Sequence, residues 1–378
     1  MCDNGVPHFG PWLMTAQRLH PARVSLVMIS GGLGGIQQSL VPYALALRQL
    51  GCEVQLVVER GSEIVAELSA KGLGDAIVII KGRHRIFRSF LNAELQAELR
   101  RFEPDIVVGF AQKGFFEAER ALRGSGIPVV TRIGTMRPEK MRRFTRPDGW
   151  LATTAEMKQA LAGFGFPSER IFLVPNFLAE PSLPRPAPGE RAVPRIGSLG
   201  RFVQRKGYHD LVDAALILRR RGLAVECEIA GDGKERAALQ RRIRDAGATE
   251  AIRLVGWLDN VEKLEFLKSL DLFVSPSLNE PFGFVYLDAM RTGTPIVTTP
   301  TVGARFIFAG GEGAVLAPFG SPEALADTIA ETLANRVRLA SLGEEARAIF
   351  EQRFSLAAGA RNLGLALGEL AAMGPRVS

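Results

Sequence analysis

The sequence contains few cysteines and no long apolar run. Its 378 residues include three cysteines, Cys2, Cys52 and Cys227, which are too scattered for a disulfide framework or a zinc knuckle. No stretch of about 18 uninterrupted apolar residues occurs, which argues against a transmembrane helix. Residues 1–21 lack the basic-then-apolar order of a signal peptide. We therefore expect a protein that stays in a reduced compartment inside the cell.

Composition and charge fit a soluble globular chain of two or possibly three domains. Hydrophobic residues make up 47% of the chain and charged residues 23%. The net charge is +7, and residues 1–190 hold 23 Lys and Arg against 18 Asp and Glu. A mildly basic N-terminal half suits an anionic membrane face, a nucleotide-linked substrate or nucleic acid, and charge alone does not choose among them.

Short branched runs alternate with amphipathic stretches, a pattern typical of parallel sheets covered by helices. A proline-rich segment at 175–194 interrupts this alternation, and proline denies a core element its backbone donors. We predict two Rossmann-like α/β domains facing across a cleft. The predicted units are an N-terminal Rossmann-like domain (1–180), a proline-rich linker (181–194), a C-terminal Rossmann-like domain (195–355) and a C-terminal helix (356–378) that packs back on the N-terminal domain.

A glycine loop follows the first predicted strand, Arg23 to Ser30, and precedes a helix predicted over Ile36 to Leu50. Glycines let a backbone approach a phosphate, and the helix that follows offers a positive N-terminal end. A dinucleotide site is an alternative, since Glu59 ends the second strand, but Gln37 stands where the third glycine is required. A plain tight turn is the other interpretation. The glycines are Gly31, Gly32, Gly34 and Gly35.

A basic turn, Gly200 to Gly207, follows the strand predicted over Arg195 to Leu199. Arg201 offers a planar fork and Lys206 a compact charge near a helix start, which together suit a diphosphate. A solvated basic turn is the alternative. The turn is not a P-loop, because no Ser or Thr follows the lysine.

A third motif runs from Ser275 to Met290 and places one acid in a loop and another in a helix. Glu280 and Asp288 suit hydroxyl groups on different parts of a polyhydroxylated ligand. The backbone N–H groups at the helix start, those of Gly283, Phe284 and Val285, would face an anion. Alternatively, Asp288 only caps its helix and Glu280 only meets solvent.

Taken together, these motifs resemble retaining glycosyltransferase family 4, which has the GT-B fold. The resemblance rests on the Gly-Gly loop, G-R-x-x-x-x-K-G, S-x-x-E-P-F-G-x-x-x-x-D-A-M and T-G-T-P-I-V, and it extends over almost the whole chain. A narrower similarity to lipopolysaccharide-core enzymes lies in the Gly-Gly-Ile-Gln-Gln start. The resemblance implies transfer of a hexosyl unit from a UDP- or GDP-sugar to a glycolipid or polysaccharide. It also implies that the N-terminal domain (1–180) binds the acceptor and the C-terminal domain (195–355) binds the nucleotide sugar.

The resemblance also implies residue roles. Arg201 and Lys206 would hold the donor diphosphate, Glu280 the sugar hydroxyls and Asp288 the ribose. Backbone groups would contact the remaining parts of the donor: Gly34 and Gly35 the phosphates, Gly256 and Trp257 the base.

Two departures from the family stand out. Asp288 replaces the usual glutamate, and no histidine follows the Pro128 to Thr131 strand, where Arg132 could compensate. We also predict that Lys113 contacts the acceptor. This lysine is expected in the loop that follows the strand ending at Phe110. An anionic lipid at the inner-membrane surface would meet two basic clusters on the N-terminal domain: Lys81, Arg83, Arg85 and Arg88; and Arg132, Arg137, Lys140, Arg142, Arg143 and Arg146. A solvated basic face is the alternative.

No two aspartates lie two positions apart, so the D-x-D metal motif is absent. We expect no catalytic divalent ion and no cofactor beyond the donor. Other functions stay open: a sugar-nucleotide epimerase of the same fold, a nucleic-acid-binding protein, or a catalytically inactive partner subunit. The basic runs lack interleaved aromatics, which disfavours nucleic acid.

Overall fold

The computed structural model describes residues 20–29, 37–81, 88–134, 147–184 and 191–376. Two parallel β-sheets organise them, one in each half of the chain. We call the part built on the first sheet the N-terminal lobe and the part built on the second the C-terminal lobe. The prediction of two Rossmann-like units is confirmed.

The N-terminal sheet has seven described strands in the order β3-β2-β1-β4-β5-β6-β7, and each neighbouring pair is parallel. Its central strands are buried on both faces, which explains their content of Val and Ile. The bounds are Arg23–Met28 (β1), Glu53–Glu59 (β2), Ile77–Ile80 (β3), Ile106–Phe110 (β4), Val129–Ile133 (β5), Gly149–Ala152 (β6) and Ile171–Leu173 (β7).

The C-terminal sheet has six described strands in the order β10-β9-β8-β11-β12-β13, again with parallel neighbours. The change of direction beside β8 is the kind of switch point at which open α/β sheets bind ligands. The bounds are Arg195–Leu199 (β8), Glu226–Ala230 (β9), Ile252–Gly256 (β10), Leu272–Ser275 (β11), Ile296–Thr298 (β12) and Val315–Leu316 (β13).

Helices cover both sheets. Those of the N-terminal lobe are Leu40–Gln49 (α1), Ile64–Ala70 (α2), Arg88–Phe102 (α3), Ala111–Ala121 (α4) and Ala155–Gly163 (α5). Those that follow the linker are Tyr208–Arg220 (α6), Arg236–Asp245 (α7), Asn260–Ser269 (α8), Phe284–Arg291 (α9), Val302–Ile307 (α10), Pro322–Ala334 (α11), Arg336–Arg353 (α12) and Leu356–Met373 (α13).

The last helix returns to the first lobe. α13 packs against α1, and its Leu363, Leu367 and Leu370 are fully buried in the core beneath the N-terminal sheet. Gly359 leaves no room for a Cβ beside the ring of Phe177. The two lobes are therefore joined twice, by the linker and by this helix.

The carboxyl edges of the two sheets face each other. Packing between α5 and α10, which follow β6 and β12, joins the lobes on one side. On the other side, the linker residue Glu180 accepts a hydrogen bond from Lys71 Nζ at 2.6 Å and lies 3.9 Å from the Arg291 guanidinium. Ligands of both lobes would thus meet between the sheets.

Several predicted elements differ from the structure. β6 and β7 were not predicted, because runs of four and three residues are too short to show a period. α4 was missed because it follows β4 directly, with no capping side chain and with Ala111 at a φ of 57°. The last strand, predicted from Gly313, begins only at Val315, and the first α-helix begins at Leu40 after a short 3₁₀ turn.

We expect the Gly359→Ala variant to lose about 1–3 kcal/mol of unfolding free energy, because its methyl group must displace the Phe177 ring. Gly163→Ala at the end of α5 is the control, since a Cβ there meets open space. Urea denaturation of both variants measures the difference. Equal stability of the two would show that α13 does not depend on this close contact.

Candidate functional site

Four loops of the C-terminal lobe leave neighbouring strands at the same sheet edge. They follow β8, β9, β10 and β11, which lie side by side in the sheet. Parallel strands bring their carboxyl ends together, so residues distant in sequence converge here. The predicted site residues of this lobe lie on these loops, at the last residue of β10 (Gly256) or on the helix that follows β11.

The loops after β8 and β11 are locked together. Gly207, with a φ of 67°, lies so close to the carbonyl oxygen of Pro276 that no Cβ would fit. The Leu278 N–H donates to the Arg205 carbonyl at 2.8 Å, and Arg205 Nη1 donates to the Asn279 carbonyl at 3.2 Å. The basic turn and the acidic loop therefore form one unit.

This unit brings Lys206 and Glu280 into contact. Lys206 Nζ lies 2.5 Å from Glu280 Oε2, and both side chains are about one-eighth exposed. The Glu280 backbone carbonyl also accepts a hydrogen bond from the Gly303 N–H at 2.9 Å. The interpretation of Glu280 as a solvent-facing loop acid is wrong, since the residue is fixed at both ends.

Arg201 is placed differently from Lys206. Its side chain is exposed, and it makes no hydrogen bond or ion pair with any residue that the structure describes. The neighbouring Gly200 lies against the Tyr208 hydroxyl and near the Lys206 ammonium group. Burial and, second, the Glu280 carboxylate raise the pKa of Tyr208, so its hydroxyl stays protonated.

The helix after the acidic loop begins without a capping side chain. Gly283 is its N-cap at a φ of 94°, in a position where a Cβ would collide with the Tyr286 ring. The first N–H groups of α9, including those of Phe284 and Val285, therefore lack a side-chain acceptor. Such a helix start favours an anion.

Asp288 lies inside α9 and is buried. Because Gly283 is the N-cap, the interpretation of Asp288 as a helix cap is wrong. Its Oδ2 lies 2.8 Å from Lys263 Nζ on α8. Lys263 is a site residue that sequence reasoning missed, since only the packing of α8 beside α9 brings the two together. Asp259, which caps α8 in a capping box, fixes where that helix begins.

The predicted base-binding segment follows β10. Gly256 has a φ of 101°, its carbonyl accepts a hydrogen bond from the Gly231 N–H at 2.5 Å, and Trp257 is 73% exposed. An exposed indole at a sheet edge is an available contact surface. Whether it meets a base stays a prediction.

Two N-terminal residues differ from their predicted settings. Lys113 lies in the first turn of α4, not in a loop, and its Nζ is 2.9 Å from Glu59 Oε2 at the end of β2. This ion pair holds the side chain that we expected to contact the acceptor. Arg132 lies on β5 and is buried, so it is not part of an exposed basic surface.

Several predictions fall outside the described residues. They concern the glycine loop and most of the two basic clusters: Gly31, Gly32, Gly34, Gly35, Arg83, Arg85, Arg137, Lys140, Arg142, Arg143 and Arg146. Of the remaining members, Lys81 is exposed after β3. The roles assigned to these residues stay predictions.

The described residues contain neither a metal-ligand cluster nor a helix suited to span a membrane. No group of three or more His, Cys, Asp or Glu side chains is arranged to hold a metal ion in these parts of the chain. Within the same residues, no helix has both the length and the apolar character needed to span a bilayer.

The two facing α/β lobes define a fold class, the GT-B fold. Solved structures share this fold. Anabaena Alr3699/HepE in complex with UDP-glucose superimposes with a TM-score of 0.76 at 19% identity, covering 91% of this chain and 98% of that one. The lipopolysaccharide outer core galactosyltransferase WaaB, in its apo form, gives a TM-score of 0.70 at 18% identity, covering 91% and 99%.

Sequence comparison narrows the class. Residues 33–179 match the model described as Glycosyltransferase Family 4, and residues 188–349 match Glycosyl transferases group 1. The chain is therefore a glycosyltransferase with a Glycosyltransferase Family 4 domain followed by a Glycosyl transferases group 1 domain. The lipopolysaccharide core biosynthesis glycosyltransferase LpsE of Rhizobium meliloti (strain 1021) is 28% identical over 326 residues, 82% of this chain and 90% of that one. A phosphatidyl-myo-inositol mannosyltransferase of Mycobacterium leprae (strain TN) is 34% identical over 182 residues, 46% and 48% of the two chains.

The pairing of Lys263 with Asp288 leads to a stability prediction. Lys263→Met should cost about 2 kcal/mol of unfolding free energy, because it leaves a buried carboxylate without its cation. Lys268→Met on the same helix is the control, since its partner Glu265 is exposed and the loss should stay below about 0.5 kcal/mol. Urea unfolding of each variant, alone and combined with Asp288→Asn, measures the coupling. An additive double variant would show that the two side chains do not interact.

Proposed function

We propose that this glycosyltransferase moves a hexosyl unit from a UDP- or GDP-linked sugar to a lipid-linked or polysaccharide acceptor, with retention at the anomeric carbon. The observation that carries the proposal is the meeting of Lys206, Glu280 and the uncapped start of α9 at one sheet edge. A sugar diphosphate needs a cation, a hydroxyl acceptor and free N–H donors, and this edge offers all three.

Departure of the diphosphate is the step that these residues would assist. The bond between the anomeric carbon and the phosphate oxygen breaks, and negative charge develops on the leaving group. Lys206, with the exposed Arg201, would stabilise that charge, which is commonly the largest contribution to catalysis. The acceptor hydroxyl bonds to the anomeric carbon from the same face, and its proton passes to the departing phosphate oxygen. Two side-chain cations in this role make a divalent ion unnecessary.

The remaining contacts would orient the donor. Glu280 would accept hydrogen bonds from sugar hydroxyls and Asp288 from the ribose, while the backbone at Gly256 and Trp257 would contact the base. Backbone groups of the other lobe, at Gly34 and Gly35, would approach the phosphates. Because Lys263 already engages Asp288, the ribose would bind to an ion pair rather than to a lone carboxylate.

The acceptor is assigned to the bacterial cell envelope. Similarity to LpsE, a lipopolysaccharide core enzyme, supports lipopolysaccharide synthesis, and the HepE complex with UDP-glucose supports a nucleotide-sugar donor. An acceptor held in a membrane requires the enzyme to reach that surface. We therefore place it in the cytoplasm, peripheral at the inner-membrane face, where the basic N-terminal half would meet anionic lipid.

Donor binding tests the assignment directly. In a thermal-shift panel of UDP-, GDP- and ADP-sugars, one nucleotide class should raise the melting temperature, and Lys206→Ala should largely abolish that rise because it removes the diphosphate's cation. Lys268→Ala, in the same lobe and paired only with exposed Glu265, should respond like the wild type. An equal response of all three proteins to every ligand would reject the site.

Turnover tests the chemistry. With the donor so identified and membrane glycolipid as acceptor, Lys206→Ala should lower kcat by about 100-fold or more, as loss of one transition-state donor commonly does. Activity should persist in EDTA, and NMR of the product should show the donor's anomeric configuration. Loss of activity in EDTA would overturn metal independence, and conversion of the donor without acceptor would identify an epimerase instead.

A further inference from the structure

A buried arginine without an acidic partner lies at the carboxyl edge of the N-terminal sheet. Arg132, near the end of β5, is 2% exposed. One of its terminal nitrogens donates to Asn176 Oδ1, while Nε and the other terminal nitrogen have no hydrogen-bond partner among the described residues. No described Asp or Glu forms an ion pair with it. Its positive charge is therefore uncompensated in this part of the molecule.

Such an arrangement is energetically unfavourable without a ligand. Removing a guanidinium from water is strongly unfavourable. In protein interiors an ion pair with a carboxylate normally compensates for that desolvation. Burial lowers the pKa of Arg132, opposed only by the neighbouring Tyr43, but a guanidinium keeps its proton at neutral pH. Among the residues that the structure describes, the buried group is therefore a cation without an anion.

The residues around Arg132 are donors or are already engaged. The Tyr43 hydroxyl, on α1, is buried beside the Arg132 guanidinium, which can donate to it but cannot accept its proton, and no other described residue accepts that proton. Burial raises the pKa of Tyr43 despite the nearby arginine, so the hydroxyl keeps its proton to donate. Asn176 Oδ1 accepts from Arg132 and from Ser39 Oγ, the latter at 3.4 Å, which fixes the amide between β5 and the start of α1. Tyr43 is itself held by stacking on Phe177.

The position of the cluster relates it to the catalytic edge. Ser39 is the N-cap of α1, whose first turn brings the positive end of a helix to the same place. β5 is parallel to β6, so it ends at the sheet edge from which α5 leaves to contact α10 of the C-terminal lobe, the lobe in which the donor is proposed to bind. A ligand between the lobes would thus meet a fixed cation from each: Lys206 on one side and Arg132 on the other.

We propose that Arg132 and Tyr43 form an oxyanion-binding site, for a phosphate or carboxylate group of a substrate held between the lobes. The proposal rests on the proposed function for the identity of the substrate, but the site itself is defined by the N-terminal lobe alone. The oxyanion is either the donor's diphosphate or an acidic group on the acceptor. In both cases it supplies the missing counter-charge.

Inorganic phosphate is the probe for the site. Every protein in this comparison carries Lys206→Ala, so that the lysine of the C-terminal lobe does not contribute. The Lys206→Ala variant is therefore the parent protein. Phosphate, compared with chloride at equal ionic strength, should raise the melting temperature of this parent, and Arg132→Met should abolish the rise while Arg132→Lys retains part of it. Arg170→Met is the matched control, because that arginine is fully engaged with the carbonyls of Asp148 and Gly374, and it should keep the phosphate response.

A second readout separates binding from a structural role. In chloride, Arg132→Met should melt no lower than its parent, since it removes an uncompensated buried charge, whereas Arg170→Met should melt lower. A phosphate response that survives Arg132→Met unchanged would overturn the proposal.

Titration with UDP, in proteins that retain Lys206, then assigns the source of the oxyanion. A Kd about tenfold weaker in Arg132→Met identifies the donor diphosphate, as expected for loss of a charged hydrogen bond. An unchanged Kd with loss of the phosphate response identifies the acceptor. A wild type that binds no nucleotide sugar would reject the proposed function, while the phosphate comparison would still decide the oxyanion site.

Discussion

Two loops of the C-terminal lobe meet where Gly207 lies against the carbonyl oxygen of Pro276, and the site depends on this contact. Any side chain at position 207 would separate the loops, and Lys206 would then move away from Glu280. The contact is made of backbone atoms, which cannot change rotamer as a side chain can. It therefore sets the distance between the cation and the carboxylate before any ligand arrives, the preorganisation that electrostatic catalysis requires.

Carboxylates and lysines are matched at this edge. Glu280 holds Lys206 and Asp288 holds Lys263, so each of these cations has a carboxylate partner and none of the four charges is buried alone. An arriving diphosphate would attract the lysine while the carboxylate turned to hydroxyl groups of the same ligand. The ion pair between Lys206 and Glu280 would thus be replaced by two contacts to one ligand molecule. Binding would then require little further desolvation of these two side chains.

The sequence predicts those elements that a local pattern of residues encodes. The predictions that failed concern short strands and contacts between residues distant in the chain. Buried strands such as β1 and β4 show continuous branched runs, whereas β6 and β7 are too short to show any period. Lys206 and Glu280 were each identified from motifs on loops after predicted strands, but their contact with each other was not predicted. Lys263 could not be found in this way, because nothing near it in the chain indicates which acid α8 will pack beside. Lys113 was predicted in a loop rather than in α4 for a related reason, because no capping side chain marks the start of that helix.

Arg132 shows how burial changes the meaning of a charge. Counted in the sequence it belongs to a basic stretch, and a basic stretch predicts a solvated or membrane-facing surface. In the structure Arg132 points to the face of β5 against which Tyr43 of α1 packs, and Asn176 lies beside it, so its side chain is buried rather than exposed. A solvated arginine attracts anions weakly and without selectivity, because water screens it. An enclosed arginine attracts an anion strongly and binds only an anion that fits the site. Its burial is unfavourable until such an anion binds.

The C-terminal lobe, in which Lys206 and Lys263 are already neutralised, does not require an anion in this way. The lobe expected to hold the acceptor is therefore the one in which the described structure leaves a buried charge to be satisfied by a ligand.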